Sequence, residues 1–155
     1  MRFLVFKRCV ILSRRRLRNK EIRTLAEALP VSFDKNAVIE QDDKGVLVNG
    51  EYWFFLYEGV FVPSLRLLQQ QSLLPEVTVD MGAVSFVVRG ADIMRPGITD
   101  VQDVDKDGFV VVVDQNHRKP LAVGRALVSG DDMRAASTGR MIQTIHYVGD
   151  ELWNS

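Results

Sequence analysis

Three groups of residues carry enough polar chemistry to engage a ligand. Between Val79 and Ile98 the sequence VDMGAVSFVVRGADIMRPGI sets Gly82, Gly90 and Gly97 beside Arg89 and Arg95. Glycines let a phosphate or ribose approach the backbone, and arginine adds charge with planar donors. Near the start, Arg14, Arg15, Arg16, Arg18 and Lys20 form the densest positive run. A local basic patch is what a polyanion meets, although the same run serves equally as a solvated loop before a helix. Asp103, Asp105 and Asp107 alternate in a way that suggests calcium. A calcium-binding EF-hand loop needs a bidentate Glu at its twelfth position; that position is Asp114, and no helix pattern flanks the loop, so a turn is expected.

Nucleophilic catalysis has little to work with. Cys9 is the single cysteine and falls in a predicted N-terminal strand, whereas His117 and His146 lie in the second half. A Cys–His pair would have to form across domains. The phosphate-cradling GxxxxGK[ST] pattern is absent. No catalytic residue, metal or cofactor is therefore expected.

Composition agrees with a folded domain or two small ones. The chain has 155 residues, 46% hydrophobic and 26% charged, with net charge zero. That balance hides an asymmetry: residues 1–29 hold nine Lys or Arg against two Glu, and the remainder eleven against eighteen acids. One cysteine excludes an internal disulfide and points to a reducing, cytoplasmic setting. No apolar run nears the roughly 20 residues a membrane helix needs. Met1–Leu12 is broken by Arg2, Lys7 and Arg8 and reads as a strand rather than a signal peptide.

The positioning elements follow from periodicity. Phe3–Leu12 suits a buried strand. Asn19 is placed to cap a helix whose Ile22, Leu25, Ala26 and Leu29 form one apolar stripe ending at Pro30. Short strands follow: 37–39, 46–48, and 51–57 after Asn49-Gly50, the strongest hairpin signal in the chain. Tyr52, Trp53, Phe54, Phe55 and Tyr57 invite base stacking, but the core of a small domain is the better use of them. Val62-Pro63-Ser64 opens a short helix with Leu65, Leu67 and Leu68, and Pro75 marks a boundary. Beyond it, Asp80 stands at an N-cap for a helix that buries Ala83, Val84, Val87 and Val88 and ends at Gly90. Pro96-Gly97 then turns into a strand. Strands at 109–113, 120–128 and 140–146, a helix capped by Ser129, and a last turn capped by Asp150 around Trp153 complete a small β-barrel.

The stretch Asp80, Gly82-Ala83, Val87, Gly90-Ala91, Met94 and Pro96-Gly97-Ile98 resembles the opening of a PUA domain. Ala122-Val123-Gly124, His146 to Asp150 and Leu152-Trp153 resemble its tail. Phe54-Phe55, Pro63 to Leu68 and Leu74-Pro75 are similar to a narrower group, the family of the T-cell-malignancy-amplified translation factor and its archaeal relatives. The resemblance implies an α+β pre-PUA domain over residues 1–74 and a β-rich PUA pseudo-barrel with short helices over 75–155. It implies binding of structured RNA, tRNA (at its acceptor end) or rRNA, with the small ribosomal subunit and a translation-factor partner.

Carried onto this chain, the implied RNA surface is Gly82, Ala83, Arg89, Gly90, Ala91, Asp92, Met94, Arg95 and Gly97, with Gly124 and Arg125 opposite. Arg14, Arg15, Arg16 and Arg18 add phosphate contacts. Met94 offers an apolar face to a base or a core contact. Asp92 stands where relatives commonly carry Asn. An accessory protein of RNA modification and a protein-interaction adaptor are the alternatives.

Overall fold

The computed structural model describes residues 13–155. The strand expected over Phe3–Leu12, with Cys9, lies outside the described residues. The chain divides into two compact units, the break falling between Leu67 and Leu68.

Among the described residues the first unit holds a five-stranded antiparallel sheet with one principal helix. Its elements are β1 (Arg15–Arg16), α1 (Asn19–Ala28), β2 (Ile39–Gln41), β3 (Gly45–Val48), β4 (Glu51–Tyr57) and β5 (Val60–Pro63), and the short α2 (Leu65–Leu68) ends just past the division. The strands are neighbours in sequence order. Asn49 and Gly50 both take positive φ, 50° and 86°, in the β3–β4 turn, as the hairpin signal predicts. Leu25 and Leu29 are buried, and Ile22 and Ala26 half-buried, so the apolar stripe of α1 faces the core.

The cap of α1 differs from expectation. Arg18, not Asn19, is the N-cap, and the Glu21 carboxylate accepts its backbone N–H at 2.9 Å. Asn19 already has helical position. The β4 aromatics are core: Phe54 is fully buried, Tyr52 and Phe55 nearly so, and Trp53 stacks on Phe33 with ring centroids 6.0 Å apart. Ser64 starts α2 by accepting the Leu67 N–H, and its hydroxyl donates to the Tyr52 carbonyl.

The second unit contains β6 (Glu76–Val79), α3 (Met81–Val87), β7 (Ile93–Met94), a 3-10 turn (Arg95–Gly97), β8 (Ile98–Val101), β9 (Phe109–Asp114), β10 (Pro120–Ala126), α4 (Gly130–Ala135) and β11 (Arg140–Tyr147). They form one six-stranded mixed sheet, ordered β7-β11-β10-β9-β6-β8, with β6 and β9 parallel and every other pair antiparallel. The two outer strands, β7 and β8, are joined by the three-residue 3-10 turn. The sheet therefore curls back on itself into a nearly closed barrel, which leaves little free edge.

Val77 and Val79, Val110 and Val112, Ala122, Ala126, Ile142 and Met133 fill its interior. The alternation along β6 and β9 is what strand period two requires. Both helix caps are as the sequence predicts: Asp80 accepts from the Ala83 N–H at 2.8 Å, and Ser129 from the Asp132 N–H at 3.2 Å. Val88 departs from the expected buried face; it follows the last turn of α3 and is 37% exposed. In the aspartate loop, Asp103 pairs with Arg134 at 2.7 Å and Asp107 with Arg125 at 3.3 Å.

Candidate functional site

The local structure around α3 follows from its ends. Asp80 closes the N-terminus with its side chain, and its own N–H donates to the Gly97 carbonyl at 2.9 Å. A Cβ on Gly97 would lie 3.0 Å from that of Ala83, so the absence of a side chain lets the 3-10 turn lie against the helix. At the other end, Gly90 takes φ 84° and turns the chain into β7.

This arrangement leaves an open groove of about 440 Å³ between α3 and the β7 segment. Gly82, Ala83, Ala91, Asp92, Met94 and Gly97 line it, so six of the eleven residues expected at the site are brought together. Phe86 and Pro96 line it as well. Phe86 is 61% exposed and Met94 50%, two large apolar side chains open to solvent on its walls. Phe86 had a sequence signal: it sits four residues after Gly82, and on a helix that spacing shares a face. Its neighbours Val84, Val87 and Val88 are apolar too, so its exposure does not stand out.

Among the described residues no cation lines the groove; its charged residues are Asp80 and Asp92. Asp92 is held firmly. One carboxylate oxygen accepts the Thr144 N–H at 2.9 Å and the other accepts from Arg140 at 3.0 Å, while the Thr144 hydroxyl donates to the Ala91 carbonyl. Ala91-Asp92 is thereby stitched to β11.

The other five expected residues stand elsewhere. Arg89 is exposed in the turn that ends α3. Arg95 is a strut rather than a free charge: Nε donates to the Ala136 carbonyl at 2.9 Å and Nη1 to the Ile98 carbonyl at 3.0 Å. Gly90 packs against the Tyr147 ring. Gly124 is buried at the β10–β11 bulge, where a Cβ would run into Ile142. Arg125, next to it, pairs with Asp107.

Of the basic run in the first unit, Arg14 makes a two-pronged pair with Glu40, at 2.9 and 2.7 Å, and Arg15 another with Glu21, at 3.2 and 2.8 Å. Glu21 is drawn down to about 2, first by the Arg15 guanidinium and then by the Arg18 N–H. Arg16 and Arg18 are exposed.

His146 is fully buried, with Nδ1 2.8 Å from Asp150. Asp150 also accepts the backbone N–H groups of Tyr147 and Trp153, a knot that ties down the tail.

The family model described as PUA domain matches residues 75–148. An uncharacterized protein of Methanocaldococcus jannaschii is 39% identical over 132 residues, which is 83% of this chain and 80% of that one. The translation machinery-associated protein 20 of Schizosaccharomyces pombe is 35% identical, covering 70% of this chain and 64% of its own. The malignant T-cell-amplified sequence 1 of Danio rerio is 39% identical, covering 69% and 62%. The chain thus spans slightly less than two thirds of the last two relatives. A conserved PUA domain protein from Thermoplasma acidophilum superposes with a TM-score of 0.77 at 26% identity, over 92% of this chain and 98% of that one.

Proposed function

This chain belongs to the PUA-domain family, and from that premise we propose that it is a translation-associated, RNA-binding protein. The groove along α3 takes the unstacked bases of a single-stranded RNA end. The observation that carries this is the groove's character. It is open, flanked by the exposed Phe86 and Met94, and without a basic residue in its lining among the described residues. Phosphate has no counter-charge there, whereas a nucleobase has an aromatic face to stack on. Single-stranded ends are the RNA form whose base edges are free to be read. Arg89 is exposed in the turn beside the groove and suits a flanking phosphate, whereas Arg140 is paired with Asp92.

Within that reading the ligand is the acceptor terminus of tRNA, met in the cytoplasm at the small ribosomal subunit with a translation-factor partner. Residues 75–155 act as the PUA domain and 1–74 as a pre-PUA domain. The role is binding, not catalysis.

Measured at one salt concentration, intact tRNA should bind more tightly than tRNA lacking its terminal CCA. Equal affinities would reject the acceptor-end assignment.

A further inference from the structure

Between Ser13 and Leu29 the first unit carries six cations and two carboxylates. How the fold distributes them separates the cations into two sets. Arg14 occupies both oxygens of Glu40, and Arg15 both oxygens of Glu21. These pairs brace β1 against β2 and against the start of α1. Arg16, Arg18, Lys20 and Arg23 are all exposed and have no side-chain hydrogen bond or ion pair among the described residues. Arg16 stands across from Glu40 in the β1–β2 register, but that carboxylate is already held by Arg14.

A second observation makes this set more than a solvated face. The N-terminal end of a helix carries partial positive charge, so cations there oppose the macrodipole and belong at the C-terminal end. In α1 the cations stand at the opposite end from the favoured one, whereas Glu21 in the first turn is placed as the dipole favours. Arg18 is the N-cap, Lys20 is in the first turn, Arg23 follows one turn later, and the last turn has no basic residue. The Glu21 carboxylate, however, is taken up by the Arg15 guanidinium and the Arg18 N–H. Among the described residues the exposed cations therefore stand there without a hydrogen-bonded acid of their own, and a local rule broken in this way is where a functional site is to be sought. Lys20 and Arg23, three apart, share one side of the helix, and Arg18 and Arg16 continue the strip across its start.

We infer that Arg16, Arg18, Lys20 and Arg23 form a phosphate tract that binds the backbone of an RNA, separate from the groove along α3, with Arg14 and Arg15 serving as internal braces. The choice of RNA rests on the functional reading above. An anionic membrane is disfavoured by the helix itself. Surface-binding helices bury an apolar face in lipid, whereas the apolar side of α1, with Leu25 and Leu29, is already buried in its own unit. Among the described residues, the exposed large hydrophobic side chains, Met81, Phe86, Val88 and Met94, belong to the second unit.

The test uses the full chain and a 20-nucleotide single-stranded RNA, with affinity measured from about 50 to 200 mM salt. Each phosphate contact to a single strand contributes about 0.7 to the slope of log K against log salt. The quadruple variant R16Q/R18Q/K20Q/R23Q should flatten the slope by about 3 and keep the wild-type melting temperature. R14Q/R15Q should lower the melting temperature and leave the slope within about 0.7 of wild type. An unchanged slope in the quadruple variant overturns the inference, as does an equal loss from R14Q/R15Q. So does retention of RNA binding by the quadruple variant while binding to phosphatidylserine vesicles, or to an acidic protein such as heat-treated casein, is lost. A groove variant, Phe86→Ser, separates the two proposals. If it has no effect while the quadruple variant flattens the slope, the groove reading fails and the tract stands.

Discussion

Gly90 and Tyr147 stand so close that a Cβ added to the glycine would lie 2.6 Å from Cε1 of the tyrosine ring. The same glycine has φ 84°. Two independent constraints thus hold one position: the left-handed turn that ends α3, and the ring on the final residue of β11 that fills the space beside it. The glycine serves the barrel before it serves any ligand. Gly90→Ala should destabilise the protein by about 2 kcal/mol or more, since a residue placed in an incompatible φ and an overfilled contact each cost on the order of 1 kcal/mol. Thermal melting checks this, and an unchanged melting temperature would show that Tyr147 moves aside freely.

Arg95 makes a similar point with charge. Its guanidinium donates to the Ile98 and Ala136 carbonyls, and its backbone N–H to the Gly139 carbonyl at 2.8 Å. It joins the 3-10 turn to the chain leading out of α4. Arg95→Ala should therefore lower stability by about 1.5–3 kcal/mol, the range for hydrogen bonds to a charged group. The salt dependence of RNA binding should not change. A flattened slope with an unaltered melting temperature would return Arg95 to the role of phosphate contact.

These two residues show where sequence and structure part. A glycine needed for a ligand's approach and a glycine needed for packing are the same letter; Gly90, Gly97 and Gly124 are told apart only by what a Cβ would strike. An arginine's partners are likewise distant in sequence, Ala136 being 41 residues from Arg95. What is legible depends on neighbours along the chain: the Asn49-Gly50 turn, the Asp80 and Ser129 caps, the stripe of α1, and the apolar strand at 109–113. Asn19 has the residue type of a cap, but Glu21 on the Arg18 N–H satisfies the helix end one residue earlier. The groove was legible in six of its residues. Phe86 carries only the weak signal of its spacing from Gly82, because its apolar neighbours do not reveal which of them faces water.

The buried tail gives a pH dependence. Burial pushes the His146 imidazole below its ordinary range, an effect that the hydrogen bond and charge of Asp150 only partly oppose. In the unfolded chain the ring returns to about 6.5. Between the depressed folded value and about pH 6.5 the unfolded state binds more protons, so stability rises with pH in that window and is lost as pH falls through it. Melting temperatures of the wild type and His146→Gln, taken from pH 7.5 to 5.0, should converge as the pH drops, with a limiting slope of about 1.4 kcal/mol per pH unit. A constant difference between the two proteins would mean that His146 keeps its ordinary titration in the fold.

Phe86 is the residue on which the groove assignment can be tested with least risk to the fold. It is 61% exposed on α3, so replacing it creates no cavity, whereas Val87 beside it is buried in the core. Phe86→Ser should leave the melting temperature within about 0.5 kcal/mol equivalent of wild type, as surface substitutions do. Loss of one base–aromatic stack is worth about 1–3 kcal/mol, so affinity for a CCA-ended RNA should fall roughly 5- to 100-fold. The salt slope should stay the same, because no phosphate contact is removed. Met94→Ser, on the opposite wall, should act in the same direction with a smaller loss. For RNA without the single-stranded end, both variants should match wild type. Equal losses on the two RNAs would mean that Phe86 contributes general adhesion rather than recognition of an end, and no loss on either would remove the groove from the RNA-binding surface.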